Sequence, residues 1–162
     1  MSDLAGFELP ISDSFGQTVL HVPRERLAEI VMELRDEFGF NMCIDVTAVD
    51  YLDYEAPRNL PEGVDPERFE IVVSLLSMLE RTRLRLRVQV PEHDAAVPSL
   101  FDVHPGTEAL EREVFDMFGI RFEEHPDLTR ILMPEDWIGY PLRKDYAIGR
   151  IPVQFKGIEN AR

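Results

Sequence analysis

The stretch FEIVVSLLSMLERTRLRLRVQV, residues 69–90, decides the fold. Its first half, 69–79, is a nearly uniform apolar run of strand-forming residues. The second half alternates: Leu84, Leu86, Val88 and Val90 share one face, and Arg81, Arg83, Arg85 and Arg87 share the other. Glu80 and Arg81 are the short polar link between the halves, so the pair reads as an antiparallel hairpin.

Working outward, residues 40–48 also run with period two. Phe40, Met42, Ile44, Val46 and Ala48 are expected on one face, with Asn41, Cys43, Asp45 and Thr47 on the other. Residues 51–67 hold three prolines and no sustained period, which predicts an exposed loop. Upstream, QTVLHV (17–22) reads as a short strand, and Pro23 suits the first position of a helix. In that helix Leu27, Ile30, Val31, Leu34 and Phe38 fall on one face, and Gly39 is placed to end it. Downstream, Pro98 opens a short helical turn, the HPG at 104–106 interrupts it, and TEALEREVFDMFG continues as a helix. Leu110, Val114, Met117 and Phe118 form its apolar face, and Gly119 is its cap. Residues 1–124 therefore read as one α+β domain, a small, largely antiparallel sheet with helices packed on one side.

Residues 125–162 read as a separate extended C-terminal segment. The first 124 residues hold 11 basic and 26 acidic side chains (net −15), whereas the last 38 hold 6 and 5 (net +1). Prolines at 126, 134, 141 and 152 block continuous helix and central-strand pairing, so an extended path with local turns is expected. The stretch HPDLTRILMPEDWIGYPLRKDY (125–146) is rich in contact-making side chains but has no period with which to bury them. Trp137, Tyr140 and Tyr146 can each bury about 150–250 Å² in a receiving pocket. Arg130, Arg143 and Lys144 can fix orientation by charge-assisted bonds, and Trp, Tyr and Arg dominate interface energies. These six residues are the expected partner interface. Part of the segment, Ile131 to Met133, is expected to fold back over its own domain.

Composition removes several function classes. A net charge of −14 and a pI near 4.6 oppose electrostatic capture by nucleic acid or an anionic membrane. Cys43 is the only cysteine, so the chain can form no internal disulfide and has no thiolate set for an iron–sulfur cluster or structural zinc. No apolar run approaches the ~20 residues that span a bilayer, and MSDLAGFELP lacks a signal-peptide pattern. The chain reads as soluble and intracellular, with any membrane association made through another protein.

Three clusters merit a chemical reading. Glu123, Glu124 and Asp127 flank His125, a set that can bind metal or do acid–base work. Their consecutive spacing favours the alternative, a His-Pro-Asp turn with local hydrogen bonds. Glu111, Arg112, Glu113 and Asp116 crowd one helix, where Arg112 can meet Asp116 at i, i+4. They form either a solvated face or an acidic surface that the segment or a neighbour covers. The arginines at 81, 83, 85 and 87 could hold an anion or pair across the sheet with Asp45 or Glu70. There is no Gly-rich phosphate loop, GxSxG, HExxH or CxxC.

The run LEREVFDMFGIRFEEHPDLTRILMPEDWIGYPLRKDY, 110–146, resembles the signature of the C subunit of respiratory complex I, the proton-pumping NADH:quinone oxidoreductase. The resemblance is carried by Glu111-Arg112-Glu113, Asp116, Gly119-Ile120, His125-Pro126, Arg130-Ile131-Leu132, Pro134-Glu135-Asp136, Gly139 and Pro141 to Tyr146, with LRLRVQVPEHDAAVPSL (84–100) upstream. The chain departs from the usual pattern at His104, where Trp is frequent, and at Phe115, where Tyr is common. The resemblance implies a non-catalytic component of the peripheral arm with no cofactor of its own. FMN and iron–sulfur clusters would lie in partner subunits, with the D subunit the main partner and the B and I subunits nearby. It places the chain on the cytoplasmic side of the cell membrane, attached only through the complex. Related hydrogenase and deazaflavin-linked dehydrogenase complexes carry similar subunits. A stand-alone metal-dependent enzyme built on the Glu123–Asp127 cluster is the alternative of another class.

Overall fold

The structure, a computed structural model, describes residues 7–147. The hairpin is its centre: β4 (Phe69–Ser77) pairs antiparallel with β5 (Thr82–Val90), from Phe69 opposite Val90 to Ser77 opposite Thr82. Ile71, Val73, Leu75, Leu84, Leu86 and Val88 are buried on one face, each worth about 1.5–3 kcal/mol relative to exposure. β3 (Met42–Asp50) pairs antiparallel with β4. On the other side β2 (Gln17–His21) runs parallel to β5, with Leu20 opposite Leu86. The spatial order is β1-β2-β5-β4-β3, a mixed sheet in which the β2–β5 pair alone is parallel.

β1 (Ile11–Ser14) is a strand that the sequence pattern did not announce. It joins β2 through the two-residue turn Phe15-Gly16, whose φ values of 55° and 78° match the right-handed twist of a hairpin. Asp13 Oδ1 accepts the Gly16 N–H at 3.0 Å, and the Phe15 ring stands fully in solvent.

Both helices contribute to the one apolar core. Pro23 and a single 3-10 turn lead into α1 (Leu27–Asp36), which buries Leu27, Ile30, Val31 and Leu34. α2 (Glu108–Phe118) buries Val114, Met117 and Phe118 and ends at Gly119, whose φ of 72° lets its N–H close on Phe115 O at 2.8 Å. Pro98 itself ends a strand, and the expected helical turn follows it, with the N–H groups of Val103 and His104 closing on Leu100 O at 3.0 and 2.7 Å. β6 (Ala96–Pro98) pairs parallel with β7 (Arg121–Glu123) just after α2.

Strict alternation fails in β3. A bulge between Cys43 and Asp45 shifts the register, leaving Val46 and Ala48 buried while Met42 and Ile44 are exposed. Cys43 turns towards the core, and burial pushes its thiol up to about 12, so it is fully protonated near neutrality.

The loop over 51–67 is not simply exposed. It folds over the helix-free face of the sheet, where Arg58 stacks 3.7 Å above the Tyr51 ring and donates to Glu70 at 2.8 Å and Gln89 at 2.7 Å. Arg87 reaches the same buried Glu70 carboxylate through Nε at 2.6 Å and Nη2 at 2.8 Å. The expected pairing of the arginine row with Glu70 therefore holds for Arg87, and Arg58 joins it from the loop.

Candidate functional site

Residues 125–147 contain no helix or strand and lie in successive turns against α2 and the end of the sheet. Backbone groups without a ladder need other partners, and two buried aspartates supply them. Asp116, on the last turn of α2, is fully buried. Its Oδ2 accepts the N–H groups of Ile131, Leu132 and Met133 at 3.1, 2.7 and 2.8 Å, and its Oδ1 pairs with Arg130 Nη1. The fold-back of Ile131 to Met133 thus rests on one carboxylate. Burial pushes the Asp116 carboxyl upward, but the Met133 amide, the Arg130 guanidinium and the two other amides outweigh it and hold the group below the usual carboxylate range.

Arg130 is the hub of this anchor. Besides the carboxylate, it donates to Asp116 O at 3.1 Å, Trp137 O at 3.1 Å and Gly139 O at 3.0 Å. Arg143 donates through Nε to Phe118 O, and the Leu142 N–H reaches Met117 O at 3.0 Å. The two bonds satisfy carbonyls that the end of α2 leaves open.

The second anchor is Asp50 at the end of β3. It accepts from Arg68 at 3.1 and 2.9 Å, from Leu52 N at 2.9 Å and from Lys144 N at 2.9 Å, while Asp145 pairs with the same Arg68 at 2.9 Å. Burial raises the Asp50 carboxyl, yet Arg68 and the two amides together bring it below its ordinary value.

Aromatic rings complete the fit. Tyr140 lies on Gly119, where an added Cβ would stand 2.5 Å from its ring, and Tyr146 covers Gly139, where a Cβ would come to 2.8 Å. Gly119 is thus required both for its left-handed φ and for this close approach. Arg143 stacks 4.7 Å from the Tyr140 ring centre and 5.1 Å from that of Phe69.

The structure therefore separates the six expected interface residues. Arg130 and Arg143 spend their guanidinium groups on this chain, because α2 and the turn carbonyls offer buried acceptors. Trp137, Tyr140 and Tyr146 are half-buried, and the Lys144 side chain is exposed. Trp137 Nε1 is buried with no partner among the described residues. Beside the charged Glu135, Asp136, Lys144 and Asp145, aliphatic side chains face outward: Ile138 is 90% exposed, Leu132 59%, Leu142 51% and Ile131 41%. Reasoning from the sequence passed over Ile138 and Leu142 in favour of aromatic and charged neighbours, and expected Ile131 and Leu132 to fold back, which their backbone does while their side chains stay exposed. Residues 148–162, the remainder of the expected segment, lie outside the described residues.

The acidic helix motif divides into distinct tasks. Glu111 is fully buried and accepts from Ser99 Oγ at 2.6 Å, Leu100 N at 2.7 Å and Thr107 Oγ1 at 2.8 Å, tying the 99–107 connection to α2. Burial raises its carboxyl against the pull of these donors. Arg112 does not pair with Asp116 as expected. It takes Glu108 at 3.1 Å and donates to Thr129 O, Thr129 Oγ1 and Arg130 O, because Asp116 points inward to Arg130. This face is the surface the segment covers.

His125 is also committed. Its Nδ1 accepts the Asp127 N–H at 3.1 Å, so Nε2 carries the proton and donates to Glu108 O at 3.1 Å. Among the described residues no group of three or more His, Cys, Asp or Glu side chains is placed to hold a metal ion, and no helix is long and apolar enough to cross a membrane.

Fold and segment together define a class: a small α+β domain that straps down a proline-rich C-terminal stretch and turns its aliphatic side chains outward. Residues 20–151 match the family described as respiratory-chain NADH dehydrogenase, 30 Kd subunit. The chain belongs to that family. The C subunit of the NADH-quinone oxidoreductase of Salinispora arenicola (strain CNS-205) is 44% identical over 146 residues, covering 89% of this chain and 56% of the relative. The protein of the same description from Saccharopolyspora erythraea is 45% identical over 153 residues, covering 93% of this chain and 57% of the relative. The chain thus spans just over half the length of these curated relatives. Among solved structures, a trypsin-resistant fragment (1-134) of Nqo5 is 39% identical with a TM-score of 0.66, covering 76% of this chain and 92% of that one. A chain of the membrane-bound sulfane sulfur reductase, an archaeal respiratory membrane complex, gives a TM-score of 0.63 at 22% identity, covering 95% of this chain and 90% of its own length, a likeness of fold.

Proposed function

We propose that the chain acts as the C subunit of an NADH:quinone oxidoreductase, complex I, as a structural part of its peripheral arm. In this reading electrons pass from NADH through FMN and iron–sulfur clusters held by partner subunits to quinone, coupled to proton translocation. This chain contributes contact surface and carries no redox centre. Its main neighbour is the D subunit, with the B and I subunits nearby, and it sits on the cytoplasmic side of the membrane, attached through the complex. The observation that carries the proposal is the family match over residues 20–151, which includes both the domain and the strapped segment.

The segment from 125 onward is the docking element in this reading, with a division of labour that the geometry supports. Arg130 and Arg143 set its path, while Trp137, Tyr140, Tyr146 and Lys144, with the exposed Leu132, Ile138 and Leu142, meet the neighbour. Apolar side chains left in water stabilise nothing, whereas burial of three such aliphatics in an interface contributes several kcal/mol, at about 25 cal/mol per Å².

The test is purification of the complex from native membranes through a tag on this chain. Trp137→Ala and Ile138→Asp are expected to leave the isolated chain folded but to lower the quinone reductase activity recovered with the tag. Full recovery of complex and activity in both variants would overturn the docking role.

A further inference from the structure

The sheet face turned away from the helices is divided into two halves. Strand register sets out its rows: Met42, Leu76 and Arg83 form one, and Asp45, Ser74, Arg85 and Val19 the next. Thr47, Val72, Arg87 and His21 follow, and then Val49, Glu70 and Gln89. The half around Arg87 and Glu70 is roofed by the loop over 51–67 through Arg58. No such bond from the loop reaches the half around Arg83 and Arg85 among the described residues.

The arginines of the unroofed half differ from most others in the chain. Arg24, Arg26, Arg35, Arg58, Arg68, Arg87, Arg112, Arg121 and Arg130 all sit within ion-pair distance of a carboxylate. Arg81, Arg83 and Arg85 make no ion pair among the described residues. Arg83 and Arg85 face Leu76 and Ser74 across the strands, and the nearest acid in their rows, Asp45, stands two strands from Arg85, about 10 Å away. Like charges at alternate strand positions are only about 7 Å apart and repel. In this unroofed half Arg83 and Met42 are exposed, Arg85, Leu76 and Ser74 are half-buried and Val19 is fully buried, and Met78 and Leu79 stand exposed beside it. It is a basic, apolar-edged patch on a chain of net charge −14.

We infer that this half of the sheet, Arg83 and Arg85 with Leu76 and Met42, docks an acidic polypeptide segment of another subunit. Charge complementarity selects the occupant. An acidic segment is repelled by most of this molecule and attracted at this one face, which sets orientation as well as contact. The apolar edge supplies the area that charge pairing alone does not. Sheets that read single-stranded nucleic acid place aromatic side chains among their basic residues, and this half carries none. The patch lies at the opposite end of the sheet from Asp50 and the strapped segment, so the inference stands on the family assignment and does not depend on the segment's docking role.

The experiment uses the full chain carrying Arg83→Cys, alone and within the complex purified from native membranes, labelled with a bulky polyethylene-glycol maleimide. The protonated Cys43 gives a slow background. Labelling is expected to be roughly tenfold slower in the complex, since thiol reactivity follows exposure. A photo-crosslinking residue at position 85 should mark an Asp/Glu-rich peptide of another subunit. The Arg83→Glu/Arg85→Glu double variant, with an unchanged melting temperature as an isolated chain, should lower recovery of complex about tenfold, and Arg83→Lys/Arg85→Lys should retain it. Equal labelling in the two states, cross-linking to a second copy of this chain or to a peptide without acids, or full recovery of the charge-reversed variant would each overturn the inference.

Discussion

The hairpin of residues 69–90 and the segment of residues 125–146 have the same length and satisfy their backbones in opposite ways. In the hairpin every residue of one strand faces a partner on the other, so the holding energy is spread along the ladder. In the segment, five backbone N–H or C=O groups converge on two side chains, the buried Asp116 and the half-buried Arg130, and one more N–H falls to Asp50. The difference is one of concentration. A distributed structure loses stability in proportion to what is removed, whereas a concentrated one detaches when a single group is lost.

The sharpest way to break this contrast is Asp116→Ala. It leaves Arg130 buried without a counter-charge and three amides without an acceptor, with an expected destabilisation of about 3–5 kcal/mol by chemical denaturation. Trypsin should then cut early after Arg130. Leu86→Ala, in the middle of the hairpin, should cost about 2–5 kcal/mol through transfer and cavity terms. Its segment should nonetheless stay as resistant to trypsin as the rest of the domain. Early cleavage in this variant as well would erase the distinction between the two regions.

Gly119→Ala tests the junction between them. A Cβ there meets Tyr140 and forces an L-residue into a left-handed φ, for roughly 1–3 kcal/mol. Adding Tyr140→Ala should restore the steric part and leave the backbone part, so the two changes should be clearly non-additive in a double-mutant cycle.

Acidification should loosen the molecule in two stages. Burial, assisted by nearby arginines, holds His21 and His104 below the ordinary imidazole value, so the unfolded chain takes up protons first and the melting temperature should begin to fall below about pH 6.5. Asp50 and Asp116 are held low, so their contribution persists above the ordinary carboxylate value and is lost as pH drops below about 4. Glu111 acts in the opposite sense, since a raised carboxyl favours the folded state as it protonates, and Glu111→Gln should steepen the acid-side fall by removing that opposing gain. The smallest expected effect on the chain itself is that of Ile138→Ser, within about 0.5 kcal/mol, because the side chain is already in water. Its consequence should appear only in recovery of the complex.

The sequence disclosed what depends on local pattern. Strand alternation in 82–90, the α1 stripe from Leu27 to Leu34 and the Gly119 cap were all readable, since each is a matter of spacing. Non-local choices were not. Nothing in QTVLH says that β2 will run parallel to β5, and the bulge that turns Met42 outward leaves no mark in an otherwise regular alternation. β1 was hidden because its turn places Phe15 where Asn, Asp or Gly is usual. At the candidate site, the residue types were legible and their allegiance was not. Arg130 and Arg143 look like interface arginines until the fold brings Asp116 and the Phe118 carbonyl within reach. Glu70 likewise sits in an apolar run, and only the folded loop shows that Arg58 meets it.

Phe15 carries a practical consequence. A bulky ring on a left-handed turn, wholly surrounded by water, serves the lone polypeptide neither in backbone comfort nor in burial. Concentrated preparations of the chain should therefore self-associate and cling to hydrophobic chromatography media. Phe15→Asn is expected to lessen that behaviour while steadying the turn, a gain in handling from one exchange at the tip of the first hairpin.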